Sequence, residues 1–377
     1  MIYICIALLV YALFFFKNEY ATANSCTNLK DKYQLKNKQI SYLAILILIV
    51  FASARATTVG YDTPNYNLNF LEIAKNNEIS DGHNFEPLFQ IINWLAAVLF
   101  GKSGFSFVLF ICELIILACV VYSGKRLTTN LTLAVYFFVT IDVYLRGFGQ
   151  LRQSVAIALL MCATSSLLNK DFCRYFAFVI LAFMFHKTSI VFAPIGFCCL
   201  LKTDKSRLIF YIATALCAAV FCVFETQIIS IVCNILHLDY YDRYIVTDLW
   251  TQELSTIGHI EMVIIIAIFF AFYLFKLLCN KKAIALPKSY NLLLDIYFFS
   301  CIFYIISGVC QSPAIYGRLV YLFFWPIIFL APQIISVIKN RRIKTLLYIC
   351  ELILALGYLI ATTFVIDAYG IMPYVLA

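Results

Sequence analysis

The chain has 377 residues, of which 63% are hydrophobic and only 13% are charged, and its formal net charge is +8. A soluble globular domain has about 45–50% apolar and about 25% charged residues, so the composition excludes that class of protein. The lysines and arginines are spread over short loops and form no basic aromatic face, which argues against nucleic-acid binding. Most of the 15 cysteines lie in apolar runs without any CxxC pair, so we expect no metal or redox site from them.

Apolar runs of about 15–21 residues, separated by short charged loops, recur along the whole chain and predict an all-α, polytopic membrane protein. In chain order the runs are 2–16, 40–54, 86–100, 105–122, 130–145, 151–169, 173–185, 188–201, 208–224, 259–279, 290–310, 318–338 and 345–366. No loop is long enough for a soluble domain, so residues 1–377 are predicted to form a single transmembrane domain. Several runs are short, because fifteen helical residues extend only about 22 Å against a hydrocarbon core of about 30 Å.

The distribution of basic residues decides which runs cross the membrane. If run 86–100 does not cross and the N-terminus lies outside, most of the 28 lysines and arginines fall in inside loops, as the positive-inside rule requires. If this run crosses, fewer than half of them do. The sequence therefore predicts about 12 transmembrane helices, both termini outside, and a re-entrant or interfacial outer-side helix near 86–100. Glu86 followed by proline opens this helix, and proline suits a first helical turn.

The outer-side loop 55–104 contains a short predicted helix that begins at Thr63, which is followed by proline. Asp62, Tyr66 and Asn69 follow the spacing i, i+4 and i+7, which places them along one side of that helix. Two interpretations remain open at this point. The three residues are part of a functional site, or the segment is an ordinary solvated loop helix that Asp62 helps to cap.

The segment Tyr144–Leu160, YLRGFGQLRQSVAIALL, joins two apolar runs through a glycine-containing turn on the outer side. Arg146, Gln150, Arg152 and Gln153 place many hydrogen-bond donors around this turn. Guanidinium groups suit phosphate or carboxylate because their donors form bidentate pairs. The alternative is that the arginine head groups simply extend to water at the membrane interface.

A histidine and a lysine, His186 and Lys187, stand at the next outer-side turn, in the sequence FMFHKTS. A histidine can serve as an acid, a base or a phosphate donor near neutral pH. A single histidine at a turn is also compatible with a purely structural role. We count His186 as a candidate because the predicted topology puts it on the same side as Arg146 and Arg152.

Two further outer-side segments carry candidate residues. Arg318 stands at the entrance of a later apolar run, where interfacial contact with water is again an alternative. The loop 225–258 contains Arg243 within LDYYDRY, a cluster of tyrosines and carboxylates. Such a cluster suits sugar rings, and it also suits an aromatic belt at the membrane interface. Loops 55–104 and 225–258 are the predicted walls of a substrate groove.

The outward-facing arginines, histidine and carboxylates together suggest a site for a polyanion. A lipid-linked diphosphate sugar is a natural substrate at the outer leaflet. Arginines would bind its diphosphate and stabilise the charge that develops as it leaves, and a carboxylate or histidine would accept the proton of the attacking sugar hydroxyl. The sequence contains no HExxH, GxSxG, P-loop or GxGxxG motif, so we predict neither a metal nor any other cofactor.

The motifs GYDTPNY, EPLFQIIN, RGFGQLRQSVAIALL, LAFMFHKTSIV and YGRLVYLFFW resemble, in order and spacing, those of the EpsG family, over residues 55–340. These are Wzy-like polysaccharide polymerases of exopolysaccharide, capsule or O-antigen synthesis. The resemblance implies a bacterial inner-membrane enzyme that joins repeat units carried on undecaprenyl diphosphate at the outer, periplasmic face. It implies membrane lipid, and a chain-length regulator and a flippase of the same pathway, as partners. The positions that match family motifs are Asp62, Arg152, Gln153, His186 and Arg318.

The roles of these residues are hypotheses. Arg152 and Arg318, supported by Arg146, bind the diphosphate, and either Asp62 or His186 is the general base. The remaining candidate substrate-binding residues are Gln150, Gln153, Tyr66 and Arg243. Three other functions stay open: a secondary transporter or flippase, a glycan ligase, and an O-acetyltransferase. Glu113, in the middle of an apolar run, is the residue that most favours transport, but the two halves of the chain show no convincing repeat.

Overall fold

The computed structural model describes residues 2–23, 30–79, 85–141, 143–236 and 253–377. These residues are almost entirely helical, and they include no strand beyond one isolated bridge between Arg55 and Leu376. The predicted all-α class is therefore confirmed. The chain divides into two compact units, which are Met1–Ala193 with Ala331–Ala377, and Pro194–Leu330. The prediction of a single transmembrane domain stays a prediction.

Sixteen α-helices are described. The first nine are α1 (Ile2–Ala23), α2 (Lys30–Ser53), α3 (Thr63–Asn76), α4 (Pro87–Phe100), α5 (Phe105–Leu127), α6 (Leu131–Thr140), α7 (Val143–Gly149), α8 (Leu151–Leu167) and α9 (Phe172–Phe183). The others are α10 (Asp204–Val223), α11 (Glu225–Leu236), α12 (Thr256–Lys281), α13 (Tyr290–Val309), α14 (Pro313–Phe324), α15 (Ile327–Val337) and α16 (Arg341–Ile360). A 3₁₀ segment covers Lys187–Leu200, and a π-helical turn, Ala361–Val365, follows α16.

Within the described residues, seven helical segments are long and apolar enough to cross a membrane. They are Phe105–Leu127, Leu131–Gly149, Asp204–Val223, Thr256–Lys281, Tyr290–Val309, Tyr316–Val337 and Arg341–Val365. Shorter apolar helices of 10–17 residues occupy several of the other predicted runs. The protein is thus a multi-pass membrane protein, and the number of about twelve spans stays a prediction.

The segment Lys187–Leu200 shows how a short run can approach the thickness of the bilayer. Its buried side chains recur at every third residue, namely Ser189, Phe192, Ile195 and Cys198, as three residues per turn require. Fourteen residues at about 2.0 Å each extend roughly 28 Å, whereas an α-helix of the same length extends about 21 Å. Because the sequence analysis assumed α-helical rise, it underestimated the reach of this run.

Helix α4 has the properties expected of a helix that does not cross the membrane. Its 14 residues extend about 21 Å, which is less than the roughly 30 Å of the hydrocarbon core. Its buried face includes two polar side chains, Gln90 and Asn93, whereas large apolar side chains such as Leu95 and Leu99 are exposed. A helix with a polar inner face and an apolar outer face suits contact with lipid. These features support the predicted interfacial or re-entrant helix.

The beginning of α1, the loop after α2 and the last residues of the chain lie at one end of the first unit. Tyr3 Oη donates to the carbonyl of Ile371 at 2.6 Å. The backbone N–H of Gly60 donates to the carbonyl of Gly370 at 2.8 Å, and that of Tyr61 donates to the carbonyl of Tyr369 at 3.0 Å. The termini therefore share one end of this unit, as the predicted topology requires. Their orientation across the membrane stays a prediction.

Candidate active site

Helices α8 and α9 form a hairpin whose open end carries two of the candidate residues. Arg152 is the second residue of α8, and His186 follows α9 after a short turn. The start of α4 joins the same end, because the N–H of Leu88 donates to the carbonyl of Met184 at 3.2 Å. This bond places Glu86, which precedes α4, between α8 and the end of α9.

The carboxylate of Glu86 is the centre of the cluster. Its Oε2 accepts a charged hydrogen bond from Nη1 of Arg152, and its Oε1 accepts a hydrogen bond of 3.0 Å from the backbone N–H of Lys187. Nδ1 of His186 lies 3.6 Å from the same Oε1. One buried carboxylate therefore gathers an arginine, a histidine and a backbone N–H from two different helix ends.

The surroundings of Glu86 keep it ionised. Burial by itself raises the pKa of this carboxyl, but the imidazole of His186, the charges of Arg152 and His186 and the N–H of Lys187 outweigh it. The net effect lowers the pKa of Glu86 to about 2. At neutral pH the group is a fixed negative charge that binds and orients its neighbours, and it is a poor proton acceptor.

Three aromatic rings enclose the guanidinium of Arg152. Its Cζ lies 4.1 Å from the ring centroid of Phe85, 5.5 Å from that of Tyr66 and 6.0 Å from that of Phe89. Such contacts stabilise a cation and restrict its rotamers. The side chain still keeps 18% of its surface exposed, compared with 6% for that of Glu86. Arg152 is therefore fixed in orientation while part of it stays accessible.

Helix α3 brings Asp62 to the same cluster. Tyr66, which is buried beside Arg152, donates from its hydroxyl to Oδ2 of Asp62 at 3.4 Å. Asp62 occupies the N-cap position of α3, but its side chain makes no capping hydrogen bond, so the capping interpretation is not supported. Asn69 and Gln90 connect α3 to α4 through paired amide contacts of 3.2 and 3.4 Å.

Helix α7 is held in the first unit by several contacts. Gly60 has φ +102°, and a Cβ at this position would lie 1.9 Å from the carbonyl oxygen of Phe148, so only glycine allows the loop to lie against the turn. Oγ1 of Thr63 donates to the same carbonyl at 2.8 Å. Nη2 of Arg146 donates to the hydroxyl of Tyr369 at 3.0 Å, so this buried arginine contacts the C-terminal segment.

A model of the EpsG family matches residues 39–376, which is nearly the whole chain. The protein belongs to the EpsG family. No curated protein and no solved structure matches the chain. Family membership indicates a membrane enzyme of the polymerase or glycosyltransferase kind in exopolysaccharide synthesis.

Four further candidate residues of this EpsG-family chain complete the predicted set, namely Gln150, Gln153, Arg318 and Arg243. Gln150 precedes α8, and Gln153 is buried in its first turn. Arg318 is exposed on α14, in the second unit. Arg243 lies outside the described residues, as does most of the loop 225–258 beyond α11. The roles predicted for these four side chains stay predictions.

Glu86 is the residue of the cluster that the sequence analysis did not select. It was noted only as the residue before a helical proline, and nothing local predicts its contact with Arg152, which is 66 positions away. The sequence feature that could have identified Glu86 is its position in the EPLFQ segment, on the predicted outer side. Among the described residues of the EpsG-family chain, no group of three or more His, Cys, Asp or Glu side chains could hold a metal ion.

Proposed function

We propose that this protein polymerises oligosaccharide repeat units carried on undecaprenyl diphosphate, at the outer face of the bacterial inner membrane. The observation that carries the proposal is the cluster around Glu86, which joins Arg152, His186 and Lys187 and lies beside the Asp62–Tyr66 pair. EpsG-family membership supplies the general reaction class. The cluster supplies the groups that such a reaction needs.

The charge of the cluster favours a polyanionic substrate. Glu86 and Asp62 carry one negative charge each, Arg152 and the exposed Lys187 carry one positive charge each, and His186 adds a positive charge when it is protonated. With His186 protonated, the surplus positive charge in this partly buried position attracts a diphosphate, and guanidinium donors suit its oxygens. Because Glu86 uses Nη1 of Arg152, the substrate would contact the remaining exposed part of that side chain.

In the proposed reaction, a hydroxyl of the acceptor sugar attacks the anomeric carbon of the donor glycan. The bond from that carbon to the phosphate oxygen breaks, and its electron pair leaves with the lipid diphosphate. Arg152 and His186 stabilise the negative charge on this leaving group. Glu86 does not react, and it holds both of these side chains in position.

The proposed general base is Asp62 rather than His186. His186 lies beside an ionised carboxylate, which stabilises the protonated imidazole and makes it a poor acceptor of the substrate proton. Asp62 is half-buried, and its carboxylate accepts a hydrogen bond of 3.4 Å from the hydroxyl of Tyr66. Its carboxylate can therefore accept the proton of the acceptor hydroxyl.

The test is complementation of a deletion of the gene in its native host. The strains would carry the wild type, Arg152→Ala or Arg174→Ala, and the size distribution of lipid-linked and surface glycan would be measured. Arg174 is the matched control, since it is an exposed arginine near the opposite end of the same hairpin, paired with Asp171 at 3.0 Å. We expect single repeat units to accumulate in the deletion and in Arg152→Ala, and polymer to be normal in Arg174→Ala.

Two outcomes would reject the proposal. Full-length polymer in the deletion strain would exclude a polymerase. Loss of all outward-facing repeat units, with lipid-linked units held inside the cell, would point to transport. Equal polymer lengths in Arg152→Ala and the wild type would remove Arg152 from the site while leaving the polymerase function intact.

A further inference from the structure

The proposed mechanism does not use Glu113, although this residue is completely buried in α5. Neither of its carboxylate oxygens has a hydrogen-bond partner among the described residues. A charged group in the interior of a membrane protein is costly unless an opposite charge compensates it. The position of Glu113 therefore requires an explanation.

Arg55 is the second buried charge in this region. It follows α2 and is only 1% exposed. Its Nη1 donates to the carbonyl of Ala52, whereas Nε and Nη2 have no hydrogen-bond partner in the described part of the chain. Glu113 is likewise fully buried, and both side chains lie at the end of α7 without a direct hydrogen bond between them. Two opposite charges that are otherwise under-satisfied thus share one buried region.

Both side chains lie against Gly147 and Phe148, at the end of α7. The guanidinium of Arg55 lies 4.4 Å from the ring centroid of Phe148. Oε1 of Glu113 lies 3.5 Å from the point where a Cβ of Gly147 would stand. Residues 147–149 are the last turn of α7, and only Gln150 separates them from α8, whose first turn contains Arg152. The two charges therefore contact the turn from two different elements, α5 and the segment after α2.

We propose that Arg55 and Glu113 form a buried pair of opposite charges that fixes the turn 147–149 and thereby positions Arg152 for the diphosphate. The part of this inference that concerns the diphosphate rests on the function proposed above. Arg55 and Glu113 are positioning residues, since neither touches the reacting groups. The pair accounts for two charges that the membrane environment would otherwise disfavour.

The pairing is tested by a double-mutant cycle on the full-length protein in detergent, with thermal unfolding as the measurement. The variants are Arg55→Met, Glu113→Gln and the double variant Arg55→Met/Glu113→Gln. Each single change leaves one buried charge without its partner, so each should lower the unfolding temperature markedly. The double variant should recover at least half of the larger loss. A double variant no more stable than the worse single variant, including one that does not fold, would overturn the pairing.

The positioning role is tested on the double variant by two further measurements. Hydrogen exchange of the backbone amides in 143–152 should be several-fold faster than in the wild type. Turnover of lipid-linked repeat units should fall at least tenfold, and adding Arg152→Lys to the double variant should cause little further loss, because the changes act through the same side chain. Fully multiplicative losses, or unchanged exchange in 143–152, would overturn the positioning role. If the wild type has no polymerase activity, the proposed function fails, whereas the unfolding and exchange measurements still decide the pairing.

Discussion

Two buried arginine–carboxylate pairs in this protein differ in the groups around them. In the first unit, Glu86 and Arg152 are accompanied by His186, Lys187 and Asp62, so positive charge is in excess when His186 is protonated. In the second unit, Asp295 contacts Arg207 and also accepts a hydrogen bond of 2.6 Å from the hydroxyl of Tyr211.

The second pair is closed and electrically balanced. Nη2 of Arg207 donates to the carbonyl of Leu201 at 2.7 Å, and a neighbouring ion pair of 2.6 Å joins Lys276 to Asp204. The side chains of Arg207 and Asp295 are 11% and 0% exposed, whereas those of Arg152 and Glu86 are 18% and 6% exposed. An arginine–carboxylate pair alone therefore does not mark a functional site. What distinguishes the first pair is its excess of positive charge when His186 is protonated, its greater exposure and its position beside Asp62.

The largest expected effect concerns Asp62, because it is the proposed general base. The second pair has no proposed base beside it, so this residue separates the two pairs most sharply. Asp62→Asn keeps the shape of the side chain and removes the proton acceptor. We expect turnover of lipid-linked repeat units to fall about 10²–10⁴-fold, which is the usual contribution of general acid–base catalysis. The matched control is Glu72→Gln, which neutralises an exposed carboxylate on the same helix α3. Equal turnover in Asp62→Asn and Glu72→Gln would transfer the base role to another group.

The second prediction concerns Arg207 and Asp295, which we expect to stabilise the fold without contributing to catalysis. Arg207→Met should lower the free energy of unfolding by about 3–5 kcal/mol, because it leaves the Asp295 carboxylate without its charge partner. The double variant Arg207→Met/Asp295→Leu should regain most of this loss, and its turnover should stay within about threefold of the wild type, since apolar replacement of both partners of a buried pair is often neutral. Thermal unfolding in detergent and turnover would be measured side by side.

A large loss of turnover in a stable double variant would contradict the comparison. It would mean that the balanced pair also acts in the reaction, and that excess charge is not what separates the two pairs.

The sequence predicted the part of the site that depends on local periodicity and on topology. The i, i+4, i+7 spacing correctly placed Tyr66 and Asn69 on the buried face of α3. The positive-inside rule predicted that 86–100 does not cross the membrane. The short length and the polar buried face of α4 support that prediction. Arg152 and His186 were expected at the same side, and they meet through Glu86.

What the sequence could not supply are contacts between distant positions. Arg146 and Tyr369 are separated by 223 positions, and no local pattern predicts their hydrogen bond. Arg55 was not among the predicted site residues, yet it is almost fully buried, because the C-terminal segment packs against the loop after α2. The 3₁₀ form of Lys187–Leu200 was also missed, since a uniformly apolar run has the same appearance at three or at 3.6 residues per turn.

The smallest expected effect is the acid sensitivity that Glu86 confers, and it tests how strongly the first pair is held. The pKa of Glu86 is lowered from 4.5 to about 2 in the folded protein, so its stabilisation is fully present above about pH 4.5 and is lost as the pH falls towards 2. This shift corresponds to roughly 3 kcal/mol. Glu86→Gln should therefore unfold at a lower temperature than the wild type at pH 6, and the difference should shrink steadily between pH 4.5 and pH 3.

Thermal unfolding in detergent at pH 6, 4.5 and 3 measures this difference, with Glu78→Gln, an exposed carboxylate after α3, as the control that should follow the wild type at every pH. The unfolding temperatures of Glu86→Gln and the wild type could instead differ by the same amount at pH 6 and pH 3. That result would mean that the neighbours of Glu86 do not stabilise its ionised form. The pKa of Glu86 would then be the same in the folded and the unfolded protein, and Arg152 and His186 would contribute little to the ionisation of this carboxyl.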